Sequence, residues 1–168
     1  SLELRKNVTG LIQAFAATQL HKDGFSLQIV GMNGNGSEII KAEAERTPGV
    51  QLHGFVSERK LAELYASCDA FAYPSFWEGF GMPLFEAMAK GCLCISTTTG
   101  ASPEVGGDAV IYVDPCDPVS IAAGMLTVRD MNGDSRRLLK KLAWERASSY
   151  TLEKYLKSFT SVIEKHAT

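Results

Sequence analysis

The chain lacks any excess of basic residues: 17 Lys and Arg stand against 19 Asp and Glu, a formal net charge of -2 over 168 residues. Neutralising a phosphate backbone needs a basic stripe, and without one no nucleic-acid partner is expected. No apolar run is long enough to cross a bilayer, and the first residues, SLELRKN, contain no hydrophobic signal region. A cytoplasmic protein is expected. Cysteine is scarce, and Cys68, Cys92, Cys94 and Cys116 lack the C-x-x-C spacing of a metal site. With Cys92 and Cys94 on one face of an apolar run, buried, reduced thiols are the expectation. The histidines, His21, His53 and His166, are scattered with no second ligand at helical spacing, so no metal centre is expected. No repeat or low-complexity linker divides the chain, whose length suits one domain, residues 1–168.

What is present is an alternation of short apolar runs with helical patterns, the rhythm of strand-helix-strand units and a parallel sheet. Asn7 can cap a helix carrying Val8, Leu11, Ile12 and Phe15, and the strand Ser26 to Val30 follows, with Gly31 at its exit. A helix near Glu38 to Glu45 precedes a strand from Val50 to Phe55. Ser57 caps the helix Glu58 to Ser67, with Leu61, Leu64 and Tyr65 as its buried stripe. Ala70 to Tyr73 reads as a strand ending at Pro74, and Met82 to Lys90 as a helix stopped by Gly91. After the strand Cys92 to Ser96, Ser102-Pro103-Glu104 supplies a cap, a first-turn proline and an acid for a very short helix. Val110 to Val113 is the last strand. Pro118 begins a helix to about Val128, Asn132-Gly133-Asp134 breaks it, and a further helix has a joint near Ser148 to Thr151. The amphipathic tail Thr151 to Lys165 reads as a helix docking back on the protein or on another domain.

In open α/β sheets ligands sit beyond the carboxyl ends of the strands. That rim collects Gly31, Gly54 to Ser57, Pro74 to Pro83 and Thr97 to Glu104. In its middle lies FWEGFGMPLFEAM, Phe76 to Met88. Gly79 and Gly81 permit a sharp turn and a close approach to main-chain amides, and Pro83 suits a first helical turn. The amides of Phe80, Gly81 and Met82, with the positive end of the helix dipole, form an anion seat. Glu78 in the loop and Glu86 inside the helix face different parts of an extended ligand, and an ionised carboxylate accepts hydrogen bonds from neighbouring sugar hydroxyls. Two acids flanking an anion seat suit a diphosphate with a sugar at each end, the shape of a nucleotide sugar.

The runs RKN (Arg5 to Asn7), LQIVG (Leu27 to Gly31), GFVS (Gly54 to Ser57), YPSFWEGFGMPLFEAMAKG (Tyr73 to Gly91) and PEVGGDA (Pro103 to Ala109) resemble, in order, the donor-binding C-terminal domain of family 4 glycosyltransferases. The resemblance implies a Rossmann-like parallel sheet with helices on both faces, the C-terminal half of a GT-B architecture. It further implies an acceptor-binding N-terminal Rossmann-like domain across a cleft, with peripheral membrane association through that domain. Metal-independent transfer of a hexosyl group from a GDP- or UDP-sugar, with retention, is the implied reaction, and no cofactor is expected.

By this resemblance Glu78 binds the donor sugar and Glu86 the ribose diol. The backbone at Gly79, Phe80, Gly81 and Met82 holds sugar and diphosphate, Lys6 neutralises the diphosphate with Arg5 beside it, and Val56 lies where the base is read. Lys6 and Glu78 are the implied catalytic residues, Glu78 as an orienting group and not a nucleophile. Two features depart from the family pattern. The apolar strand usually found before the position of Ser1, central in the sheet, is absent, and Leu93 stands where proline is usual.

Other readings are weaker. Gly79-Phe80-Gly81 starts the G-x-G-x-x-G of a dinucleotide oxidoreductase, but the third position is Leu84, too large for close helix-strand packing. An epimerase, a phosphorylase or a non-catalytic nucleotide-sugar module would share the rim and differ in reaction. His53 reads as a satisfied core or rim histidine, Glu104 as a first-turn acid, and Trp77 as a cover for the sugar or a loop-packing residue.

Overall fold

A computed structural model of the chain describes residues 1–151. Over that span run α1 (Val8–Thr18), β1 (Leu27–Val30), α2 (Ser37–Arg46), β2 (Val50–Gly54), α3 (Glu58–Ser67), β3 (Phe71–Ala72), α4 (Met82–Ala89), β4 (Cys94–Thr97), α5 (Ser102–Gly106), β5 (Val110–Val113), α6 (Pro118–Asp130) and α7 (Gly133–Ser148). The expected alternation is therefore present, with short 3₁₀ turns at Leu4–Lys6, Leu20–Asp23 and Gly107–Ala109. The tail beyond Thr151 lies outside the described residues.

Local chemistry accounts for most helix starts. Ser57 Oγ accepts from the Lys60 amide at 3.3 Å, and Asn132 Oδ1 from the Ser135 amide at 2.9 Å. Asp117 caps α6 through the Val119 amide at 2.9 Å, with Pro118 in the first turn. Two expected caps are corrected. Asn7 stands at the N-cap of α1, but its backbone is left-handed, φ 53°, and its side chain donates instead to the Pro115 carbonyl at 2.7 Å. The cap position of α5 is Ala101, and Ser102 is a buried first-turn residue. The stripe of α3 is half-buried, not buried.

The strands form two parallel sheets instead of one: β1 pairs β2, and β3, β4 and β5 pair in that order. Among the described residues no ladder joins β1 to β3. Alternation along β4 sends successive side chains to opposite faces. Ile95, with Val113 and Ala72, packs under α1 and α6 through Leu11, Phe15, Ile121 and Met125. Cys94, with Phe71, Tyr73 and Val110, packs under α4 and α7 through Leu84, Met88, Ala143 and Ala147. Each fully buried aliphatic side chain in these clusters contributes about 1.5–3 kcal/mol.

Helices on both faces is therefore right for β3-β4-β5. For β1-β2 it needs correction: one face packs Ile29 against Ile12 and Ile40 of α1 and α2, while the other carries exposed Gln28 and Gln51 and half-buried His53. His53 Nε2 pairs with Gln28 Oε1 there, a sheet-surface partner. The thiols also divide. Cys92 and Cys94 are buried on one face as expected, but Cys68 is half-buried, with its Sγ 3.9 Å from that of Cys92, and Cys116 is exposed in the turn after β5.

Candidate functional site

The segment before α1 ties the two sheets together at one end. The Leu2 amide donates to the Met32 carbonyl at 2.7 Å and the Leu4 amide to that of Asn35 at 3.1 Å, both just after β1. The Arg5 carbonyl in turn accepts from the Phe76 amide at 2.9 Å, in the loop after β3. Both strand exits thus meet one strap, residues 2–5, which carries Arg5 and Lys6 to the rim.

Glu78 is the centre of the loop between β3 and α4. It is 8% exposed, and a buried carboxylate must be hydrogen-bonded to be tolerated. Its Oε1 accepts from Tyr73 Oη at 2.6 Å, Arg5 Nη1 at 2.7 Å and Ser75 Oγ at 3.0 Å. Burial alone raises its pKa, but the bonds from Tyr73, Arg5 and Ser75 together outweigh that and hold it below the usual carboxylate range. Glu78 is therefore ionised at neutral pH. Burial, then the bond to Glu78, pushes the Tyr73 phenol well above its ordinary value. Its own bond to Glu78 raises the Arg5 guanidinium.

The loop is clamped from behind by the exit of β4. Ser96 Oγ donates to the Tyr73 carbonyl at 3.2 Å, and Thr97 Oγ1 and Thr99 Oγ1 donate to that of Ser75 at 3.0 and 3.4 Å. The Ala101 amide reaches the Glu78 carbonyl at 3.0 Å. Gly100, at φ 59°, lies so close that a Cβ there would stand 2.4 Å from the Glu78 carbonyl oxygen. In front, Phe80, Phe85 and Tyr150 form an edge-on aromatic group with centroids 5.7 to 6.1 Å apart.

Gly81, at φ 82°, is the N-cap of α4, and Pro83 lies in its first turn. The amides of Phe80, Gly81 and Met82 donate to no acceptor among the described residues. Leu84, the residue that argues against a dinucleotide turn, is wholly buried. Glu86 is exposed one turn into α4, close enough to the Tyr65 phenol of α3 to help raise its pKa after burial. Val56 is half-buried before α3, beside Phe55, which is 77% exposed. Trp77 is 64% exposed, which overturns the loop-packing reading of that residue.

Lys6 and Arg5 differ. Arg5 is committed to carboxylates, its Nε bonding Glu3 Oε2 at 2.8 Å and its Nη1 Glu78. Lys6 Nζ meets only Ser1 Oγ at 3.3 Å and pairs with no carboxylate among the described residues. Glu104 Oε atoms take no bond among the described residues, whereas its carbonyl accepts from Tyr150 Oη at 2.9 Å and from Arg146. Among the described residues no three His, Cys, Asp or Glu side chains gather as metal ligands would. A groove of about 530 Å³ between α6 and α7, lined by Ala123, Leu126, Met131 and Ser135 among others, takes in none of the predicted residues.

The structure thus brings Arg5, Lys6, Glu78 and the loop Gly79 to Met82 to one rim. Tyr73, Ser75, Gly100 and Tyr150 complete it. The rim read from the sequence took in Ser75 and Gly100 without giving them a role, because the roles of all four depend on which loops the sheet brings together.

The family of group 1 glycosyl transferases matches residues 1–144. An O-antigen chain mannosyltransferase B from Escherichia coli is 32% identical over 92% of this chain and 44% of its own. An MMP α-(1→4)-mannosyltransferase from Mycolicibacterium hassiacum is 28% identical over 94% of this chain and 41% of its own. Among solved structures, a UDP-forming α,α-trehalose-phosphate synthase from Burkholderia xenovorans superposes with a TM-score of 0.85 at 16% identity, over 100% of this chain and 43% of that one. A glycosyltransferase from Rickettsia africae does so with a TM-score of 0.80 at 20% identity, over 96% of this chain and 44% of that one. The chain therefore spans less than half the length of these relatives, and its α/β fold matches part of the larger two-domain GT-B enzymes. With the family pattern running through the strap, the clamped loop and the start of α4, the chain belongs to the group 1 glycosyl transferases.

Proposed function

We propose that residues 1–168 form the C-terminal, donor-binding half of a retaining, metal-independent hexosyltransferase of GT-B type. In this reading the diphosphate of a GDP- or UDP-sugar sits on the amides of Phe80, Gly81 and Met82 at the start of α4, where the helix dipole favours negative charge. Lys6, next to the strap and without a carboxylate partner among the described residues, neutralises charge that grows on the leaving diphosphate. Glu78 receives the sugar hydroxyls, Gly79 leaves room for the ring, Glu86 takes the ribose diol, and the backbone at Val56 reads the base. Arg5 touches the ligand through Glu78. The observation that carries the reading is an ionised, nearly buried carboxylate with one oxygen that meets no donor among the described residues, adjoining amides at a helix start that are likewise unpaired among them.

Mannosyltransferases among the relatives favour a hexose such as mannose as the transferred group. The acceptor hydroxyl is presented by a second Rossmann-like domain of the same cytoplasmic enzyme, through which the protein can meet a membrane surface. The 168-residue chain alone then binds donor and transfers poorly. Titration calorimetry with GDP, UDP and their mannose and glucose conjugates tests the site. Binding of at least one pair is expected, and Glu86→Gln should weaken nucleotide and nucleotide sugar alike by about tenfold, the loss of one charge-assisted bond. A folded chain that gives no heat with any of them would sink the assignment.

A further inference from the structure

Three donors converge on one oxygen of Glu78, while Oε2 meets none among the described residues. The donors are not equivalent. Arg5 has a half-exposed side chain on the strap, free to follow its other partner, Glu3. Tyr73 is fixed from every side: its amide donates to the Ile95 carbonyl at 2.8 Å, its carbonyl is held by Ser96, and its ring stacks on Phe71 with centroids 5.8 Å apart. Its hydroxyl therefore has one direction available, and that direction ends on Glu78 Oε1. Ser75, 1% exposed, is held by Thr97 and donates to the same atom.

We infer that Tyr73 is a positioning residue that decides which oxygen of Glu78 faces the ligand: with Ser75 it occupies Oε1, turning Oε2 outward as the acceptor for a sugar hydroxyl. The inference rests on the donor-site reading above. A tyrosine serving the core alone would need no hydroxyl at this point, since phenylalanine fills the same ring volume against Phe71. Because Oε1 is taken, Glu78 offers the sugar a single oxygen. It can accept from one hydroxyl, or be shared by a neighbouring pair, but cannot grip a diol with both oxygens.

Tyr73→Phe isolates the hydroxyl, and Ser75→Ala removes the second donor without touching the ring. The probes are GDP and UDP against GDP-mannose and UDP-glucose, measured by calorimetry on the protein across acidic and neutral pH. In Tyr73→Phe the nucleotide sugar is expected to bind about tenfold more weakly, while the bare nucleoside diphosphate changes less than about twofold. The acidic limb of nucleotide-sugar binding should also move to higher pH, because a carboxylate that has lost a donor protonates more readily. Ser75→Ala should show the same pattern at smaller size, and carries the test if the Tyr73 variant does not fold. Wild-type protein that binds both probes, with variants that weaken them equally or not at all, overturns this inference alone. Wild-type protein that binds neither overturns the donor-site reading and the inference with it.

Discussion

Glu78 sets the behaviour of the whole rim because it holds a negative charge at a nearly buried position with three donors on one oxygen. Its folded pKa lies below its unfolded one, burial being outweighed by the donors on Oε1, so its ionisation stabilises the fold above the usual carboxylate range. That stabilisation disappears as pH falls through the lowered value. Glu78→Gln keeps the volume and discards the charge. It should cost about 1–3 kcal/mol of unfolding free energy at neutral pH, toward the lower figure because Arg5 is half exposed and screened. In urea titrations the gap between the two proteins should narrow as pH falls below the usual carboxylate range. A gap of constant size would mean that the charge contributes nothing to folding.

At the scale of elements, the loop after β3 takes its shape from a different element, the exit of β4. Gly100 provides the close approach, and its positive φ excludes a side chain on two counts, backbone strain and collision with the Glu78 carbonyl. Gly100→Ala should destabilise the protein by about 1–3 kcal/mol, read as a fall of roughly 2–4 °C in Tm for each kcal/mol. An unchanged Tm would show that the clamp yields freely. This dependence of one loop on another also marks the boundary of what was legible in the sequence. Ser57 could be read as a cap because its side chain serves an amide three residues on, and Asn132, read only as a helix break, caps α7 in the same way. Asn7 reads as a cap in the same way and is not one, since its side-chain partner Pro115 lies 108 residues away. Glu78, Gly79, Gly81 and Glu86 stood out as a local pattern. Tyr73, Ser75 and Gly100 did not, for nothing local says that they meet.

For the molecule as a whole, period-two alternation and helical stripes gave the strands, helices and their order, because burial on one face leaves a mark on local sequence. Pairing leaves no such mark, so a single sheet was expected where two are present. Phe71 and Tyr73 turn their amides to β4, bonding Leu93 and Ile95, and Ala72 between them faces the unpaired edge. In hydrogen-deuterium exchange of the 168-residue chain, the Ala72 amide should therefore lose protection well before those of its two neighbours. Equal protection at all three would mean that the edge is covered. The strap across that seam has a mechanical meaning. Ladder bonds fix register sharply with angle and distance, whereas apolar side chains slide past one another at small cost. The loop bearing Val56 and the loop bearing Glu78 therefore stand on different ladders, linked at the rim by three backbone bonds through residues 2–5 and beneath it by Leu27 and Val50 packed against the cluster of Ile95 and Val113.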